Sequence, residues 1–508
     1  MANKNQLRSG VVLSYLNLAL SSLIPFFYTP IMLRLLGDAE YGLFSLSNSV
    51  IGYLSLLSFG FGGTIVRYIT LYRAKGEKKK VENTFAFFLI VFGIIAVLVM
   101  VCGVVLSFSV DSIFHQGLTE AEISKMRVLM LIMSFNTALS LIISVFSSII
   151  MSYERYVFRK LVDMIATVAA PLSNLIMLYL GFASVGMALA NTIIQFVMLP
   201  LNMIYCFRVL KVRPRYGRLG GNLIKEMIGF SAFTFLGTVV DMLFWATDKV
   251  ILGMLTSTVV VAIYNIGSTF NNMIVNLSSA MSNILAPKVT TMVAKESSKE
   301  ELTSLFIKVG RLQFIIVSLA ISGFAVFGHE FILLWAGNTY SDSYYIALLT
   351  LIPLCVPLIQ NTGLAIVMAQ NKHRFRSVVY LIIAIVNVIS TYILVPYMGA
   401  IGAALCSAIS YVIGQGVIMN VYYYKVVGIN IGLFWKNILR MAITPLIAIT
   451  VGFLIKRLIS FGNWPMFFAG VIVYSLLFVI LMWIISMNPY EKNVFTKPIH
   501  SIVKRKRL

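Results

Sequence analysis

The chain has 508 residues, of which 59% are hydrophobic and only 11% charged, with a mean hydropathy of +0.91. A water-soluble core cannot hide that much apolar surface, so the composition excludes an ordinary soluble domain. The net charge of +22 would suit nucleic acid on a soluble protein, but the placement of the cations along this chain argues for a membrane instead.

A membrane-crossing helix needs roughly 20 apolar residues, within a range of about 17 to 25. Stretches of that kind fall at residues 11–36, 41–66, 84–110, 128–151, 161–180, 185–207 and 227–255, and then at 259–285, 312–334, 345–369, 378–396, 400–424, 434–455 and 465–485. The expected fold is therefore an all-α polytopic membrane protein with about 14 transmembrane helices. The first stretch is too long for a signal-peptide core, carries Pro25 and Pro30, and has no small-residue cleavage site behind it, so it reads as a retained span with nothing cleaved. Cys102, Cys206, Cys355 and Cys406 each stand alone in a span, which argues against disulfides and zinc alike.

With the N-terminus placed in the cytoplasm, 34 of the 40 Lys and Arg fall on the cytoplasmic side. The positive-inside rule then predicts cytoplasmic N- and C-termini in a plasma or inner membrane. The richest basic runs are 67–80, 208–225 and the tail Lys504, Arg505, Lys506 and Arg507. Such runs contact anionic membrane lipids, with substrate capture as the alternative role. Lys456 and Arg457 are the clearest exceptions, on the outer side of the thirteenth span.

The first six spans and the next six repeat at a fixed offset. Leu36-Gly37 returns as Leu252-Gly253, Phe158-Arg159 as Phe375-Arg376, Ser173 as Ser390 and Gly186 as Gly402, all 216 or 217 residues later. An even number of spans per unit gives both units the same orientation, related by a pseudo-two-fold along the membrane normal and facing a central cavity. The expected domains are an N-terminal lobe at 1–209, a cytoplasmic linker at 210–226 containing Pro214, Gly217, Gly220 and Gly221, a C-terminal lobe at 227–425, two extra spans at 426–487, and a basic tail at 488–508.

No stretch is long enough for a soluble catalytic or nucleotide-binding domain, and no phosphate-loop, zinc-helix or serine-elbow motif occurs. The expectation is a transporter with no cofactor, no metal and no catalytic residue, driven by a gradient, its substrate or a partner. Asp38 and Glu40 form a D-x-E pair of the kind that chelates a divalent ion in some membrane glycosyltransferases; the plainer reading is an acidic helix-capping loop before Tyr41-Gly42.

Polar groups at membrane depth are the functional pointers, because hydrocarbon penalises them unless they face water or a partner. In span eight, Asn265, Asn272, Asn276 and Asn283 fall within about 40° of one another on a helix. They either line a wet cavity or bind neighbouring helices; Ile274 is expected on the lipid side. Span seven carries Thr234, Asp241 and Asp248 at seven-residue spacing, with Asp241 about halfway across. Asp241 is a candidate for ion coupling or conformational switching, or half of a structural pair. Asp248 and Lys249 lie nearer the outer surface, either as plain interfacial charges or as further coupling candidates, and Arg34, behind Pro25 and Pro30, either reaches into the cavity or snorkels to headgroups.

Three segments carry a resemblance: 35–46 (LLGDAEYGLFSL), 248–253 (DKVILG) followed by Ala262-Ile263-Tyr264, and 333–340 (LLWAGNTY). With the span count and the repeat, the chain resembles the polysaccharide transporter branch of the multidrug/oligosaccharidyl-lipid/polysaccharide flippase superfamily, the Wzx-like exporters. The resemblance implies an undecaprenyl-diphosphate-linked oligosaccharide as substrate, flipped outward for cell-surface polysaccharide biosynthesis, with its tail left in lipid beside spans thirteen and fourteen. It also implies a proton or sodium as coupling ion and a polysaccharide polymerase and glycosyltransferases as partners. A multidrug antiporter of the same superfamily and a lipid II flippase are the alternatives.

Overall fold

The computed structural model describes residues 4–217, 221–295, 297–370 and 372–496, most of them in helices. The basic tail Lys504, Arg505, Lys506 and Arg507 lies outside the described residues, as do positions 218–220 of the expected linker. Contacts group the chain into two compact units, Met1–Ala262 with Thr391–Gly399, and Ile263–Ser390 with Ala400–Leu508.

The first unit holds α1 (Lys4–Leu36), α2 (Asp38–Gly52), α3 (Phe61–Ala74), α4 (Lys78–Phe114), α5 (Glu120–Ser152), α6 (Tyr156–Tyr179), α7 (Ala183–Ile204), α8 (Gly221–Trp245) and α9 (Thr247–Leu255), and the start of α10 (Thr258–Ala294). The second continues through α11 (Lys299–Trp335), α12 (Ser343–Ile359), α13 (Asn361–Ala369), α14 (His373–Tyr411), α15 (Met419–Tyr422), α16 (Ile431–Leu458) and α17 (Trp464–Leu481). Among the described residues thirteen helical stretches are long and apolar enough to cross a membrane. One of them, Phe375–Val427, runs for 53 residues and is interrupted at Gly399, whose φ of 54° and ψ of −136° suit glycine alone. That stretch supplies two crossings, which makes fourteen.

Several helices outrun the apolar stretches that announce them. The 37 residues of α11 extend roughly 55 Å at about 1.5 Å per residue, against a hydrocarbon core of about 30 Å. Its first turn is polar and closed by a capping box, in which Ser298 accepts from the Glu301 backbone while Glu301 accepts from the Ser298 N–H. Hydropathy marks only the middle of such a helix.

The boundary between the contact units lies in α10, well past the expected linker at 210–226. Glycines explain why α9 and the start of α10 join the first unit. At Gly42 a Cβ would sit 1.8 Å from the Thr258 carbonyl oxygen, and at Gly253 it would sit 2.5 Å from Leu46 Cδ2, so backbone and side chain close in where only hydrogen fits. Thr258 Oγ1 also donates to Glu122 at 2.6 Å.

The repeat has a physical counterpart in each unit. Phe158 stacks on Tyr205 with centroids 3.6 Å apart, and Phe375 stacks on Tyr422 at 4.5 Å, both with ring planes 11° from parallel. In the second unit α16 and α17 pack on α11 through Phe306, Phe327, Phe434, Tyr474 and Phe478. Gly310 of α11 admits the Phe434 ring, and beside it Arg311 is held by Glu491 through bonds of 2.5 and 2.9 Å.

Candidate functional site

The asparagine face of α10 splits cleanly into packed and open sides. Asn271 exchanges hydrogen bonds with Thr350 of α12 at 2.9 and 3.0 Å, and Ser278 donates to the Leu358 carbonyl at 3.2 Å while accepting from Asn361 Nδ2. Ile274, between them, is 8% exposed and packs inside the unit, so the lipid position expected for it is wrong. The cause is the 100° helical step: residues 271, 274 and 278 share a face about 150° from the asparagine stripe. On the stripe itself Asn272 and Asn276 are exposed and Asn265 is half-buried. The side chain of Asn283 lies outside the described residues.

Span seven is not the continuous stripe that seven-residue spacing predicts. The helix breaks at Ala246, so Thr234 and Asp241 lie exposed on α8, whereas Asp248 opens α9 and is 1% exposed. A carboxylate in a first helical turn meets the positive end of the helix dipole; Thr391 Oγ1 donates to it at 3.4 Å, and neighbouring Thr247 bonds Tyr53. Lys249 beside it is half-buried, and Arg34 is exposed in the last turn of α1.

The segments that carry the resemblance turn out to be packing devices. Gly37, with φ 77°, and Gly337, with φ 106°, make left-handed turns, while Tyr340 is fully buried. Glu40 accepts from Lys125 Nζ at 2.7 Å, from the Ser184 backbone N–H at 3.2 Å and from the Ser184 hydroxyl, tying α2 to α5 and α7. Asp38 and Glu40 lie in the first turn of α2 rather than in a capping loop, and Glu40 braces neighbouring helices instead of capping its own; among the described residues no group of acidic, His or Cys side chains is arranged to hold a metal.

Sequence reasoning missed a polar cavity of about 400 Å³ inside the first unit, between α2, α5, α6 and α7. Its wall includes Asn48, Asn136, Arg159, Asn191, Gln195 and Asn202. Asn136 Nδ2 donates to the Ala188 carbonyl at 2.9 Å and Asn202 Nδ2 to the Met198 carbonyl at 2.8 Å. Both side-chain oxygens are buried and accept no bond within the described protein. Arg159 is held between Asp163 at 2.8 Å and Ser147 Oγ at 2.5 Å. A signal was present: Asn191, Gln195 and Asn202 are spaced 4 and 7, as are Asn272, Asn276 and Asn283.

Residues 7–290 match the family described as polysaccharide biosynthesis protein. The chain is 21% identical over 488 residues to the uncharacterized membrane protein EpsK of Bacillus subtilis (strain 168), covering 94% of this chain and 95% of that one. In fold it is similar to the lipid II flippase MurJ in an inward closed conformation, with a TM-score of 0.70 at 13% identity over 96% of this chain and 99% of that one. It is also similar to an inward-facing multidrug resistance MATE family transporter of the MOP superfamily, with a TM-score of 0.63 at 15% identity over 83% and 95%. The family match spans more than half of the sequence, and the chain belongs to the polysaccharide biosynthesis protein family, as a multi-pass membrane protein whose fold is similar to that of these two transporters.

Proposed function

We propose that the protein is a flippase that carries a polyprenyl-diphosphate-linked oligosaccharide from the cytoplasmic to the outer leaflet for cell-surface polysaccharide biosynthesis. The observation that carries this reading is the open face of α10. Asn272 and Asn276 stand exposed within a crossing helix while their neighbours Asn271, Ile274 and Ser278 are buried in packing. Amides in hydrocarbon cost several kcal/mol, on the order of 2–7 each, so that face belongs to water and to a hydrated headgroup. Family membership supports a saccharide over a drug as cargo.

The headgroup passes along the open face of α10, with both termini cytoplasmic. The polyprenyl tail stays in lipid beside α16 and α17. Asp241, near the middle of the Leu223–Leu255 crossing, couples a proton or sodium gradient to alternating access. Glycosyltransferases supply the lipid-linked substrate and a polymerase consumes it.

Deleting the gene should leave lipid-linked oligosaccharide on the cytoplasmic leaflet, and the wild-type chain should restore its outward transfer. An unchanged leaflet distribution refutes the flippase reading. Single cysteines at 272 and 276 should react with a water-soluble maleimide, while one at 274 is protected by packing. Equal protection of all three removes the wet face.

A further inference from the structure

We propose that the cavity inside the first unit is a binding subsite for one sugar ring of the headgroup; this deepens the flippase reading and rests on it for the identity of the cargo. The wall chemistry carries the inference. Asn202 and Asn136 each give an amide proton to a carbonyl, Met198 and Ala188, and stand fixed in the wall with their Oδ1 atoms buried. Thr137 and Ser140 donate their hydroxyl protons to the Met133 and Thr137 carbonyls, so they present acceptor oxygens to the cavity. A wall of fixed acceptors calls for a ligand rich in O–H donors.

A bare cation fits less well. The carboxylate in the wall, Asp163, is already paired with Arg159 at 2.8 Å and Lys160 at 4.0 Å, and that cluster carries net positive charge. The same cluster suits a neutral pyranose or one bearing a single carboxylate, with Arg159 donating to a ring or acid oxygen. Asn191 and Gln195, which offer donor and acceptor together, complete the complement that vicinal hydroxyls use. The volume lies within the range of about 300–1,000 Å³ typical of small-molecule pockets, and is far more than one ordered water fills.

The test uses the full-length protein in lipid nanodiscs, with saturation-transfer NMR against free glucose, N-acetylglucosamine and glucuronate, and a parallel cellular assay of lipid-linked oligosaccharide transfer. Gln195→Leu is the primary variant, because Gln195 lines the cavity and makes no helix-to-helix bond among the described residues. Thr137→Val removes a wall hydroxyl at similar volume. Each should weaken binding of whichever sugar the wild type takes up by about tenfold, in line with losing a partner from a buried polar group. Transfer should fall in parallel and recover when substrate is raised.

Wild-type protein that flips its substrate but binds none of the three sugars overturns the subsite and leaves the flippase reading standing. Unchanged sugar binding in both folded variants does the same, by placing the sugar elsewhere. Sugar binding that these variants abolish, in a protein without any transfer activity, supports the subsite and removes the flippase reading.

Discussion

The two halves of the repeat share a frame and differ in what they put inside it. Both stack an aromatic pair 217 residues apart, and both follow the phenylalanine with an arginine. In the first unit Arg159 reaches Asp163 one turn on; in the second Arg376 lies over the Tyr380 ring, 4.4 Å from its centroid, at the equivalent position. The amide and hydroxyl of Asn136 and Ser140 are matched by Pro353 and Pro357 of α12. Conversely, the second unit puts a closed polar cluster where the first has Ala170, Ala190 and Ile193: Ser410 donates to Asn387 at 3.2 Å, and Asn387 to Ser407 at 3.4 Å. Duplication preserved the packing that orients the helices and released the lining to diverge.

The largest effect that sharpens this contrast is on stability in the second unit. Arg311 and Glu491 are 8% and 1% exposed, with Ser486 O and Asn488 completing the network. Glu491→Ala strands a buried guanidinium and should cost about 3–5 kcal/mol, measured by thermal unfolding in detergent, with Arg311→Met in the same chain recovering most of it. The first unit should respond to charge removal through transport instead. Asp241→Asn keeps shape and hydrogen bonding, so folding and insertion should be normal while headgroup transfer drops at least about tenfold, equivalent to ~1.4 kcal/mol in the barrier. Asp241→Glu should retain part of the rate. Full complementation by the Asn variant at matched protein level removes the coupling role.

These contrasts also mark what the sequence made legible. Crossing helices were readable because every residue in them contributes to the same apolar sum, and Gly399 was readable as a break because the apolar stretches at 378–396 and 400–424 stop on either side of it. The asparagine stripe of α10 was readable because its members lie on one helix. The cavity was not, since Asn48, Asn136, Arg159 and Asn202 come from four helices and no spacing along the chain joins them. Asp241 and Asp248 align at seven-residue spacing, yet with the turn at Ala246 between them Asp241 is exposed on α8 and Asp248 is buried at the start of α9. The Asp38-x-Glu40 pair shows the converse: in a pattern that suggests metal chemistry, Glu40 alone serves as a brace between three helices.

A smaller effect tests whether the shared frame is structural. Phe158→Leu and Phe375→Leu each remove one partner of a stacked pair while keeping an apolar side chain. Each should lose about 0.5–1.5 kcal/mol of pair energy beyond the area change, and the two losses should agree within error. A loss confined to one site would mean that only one half of the repeat relies on the stack.

The smallest effect is at the ion pair inside the first unit. Arg159 and Asp163 are each 26% exposed, and they open onto the cavity rather than into packed side chains. A pair with that access to water gains little net Coulomb energy, because the solvent that screens the attraction also solvates each charge when the other is removed. Asp163→Asn should therefore shift stability by no more than about 1 kcal/mol in the same thermal assay, against several for Glu491→Ala. Its surroundings predict the sign of a second measurement: losing the carboxylate leaves Arg159 and Lys160 unopposed, so binding of glucuronate should strengthen relative to glucose. A destabilisation at Asp163 as large as that at Glu491 would mean that the cavity is dry and closed, and the difference drawn between the two units would collapse into one buried ion pair in each.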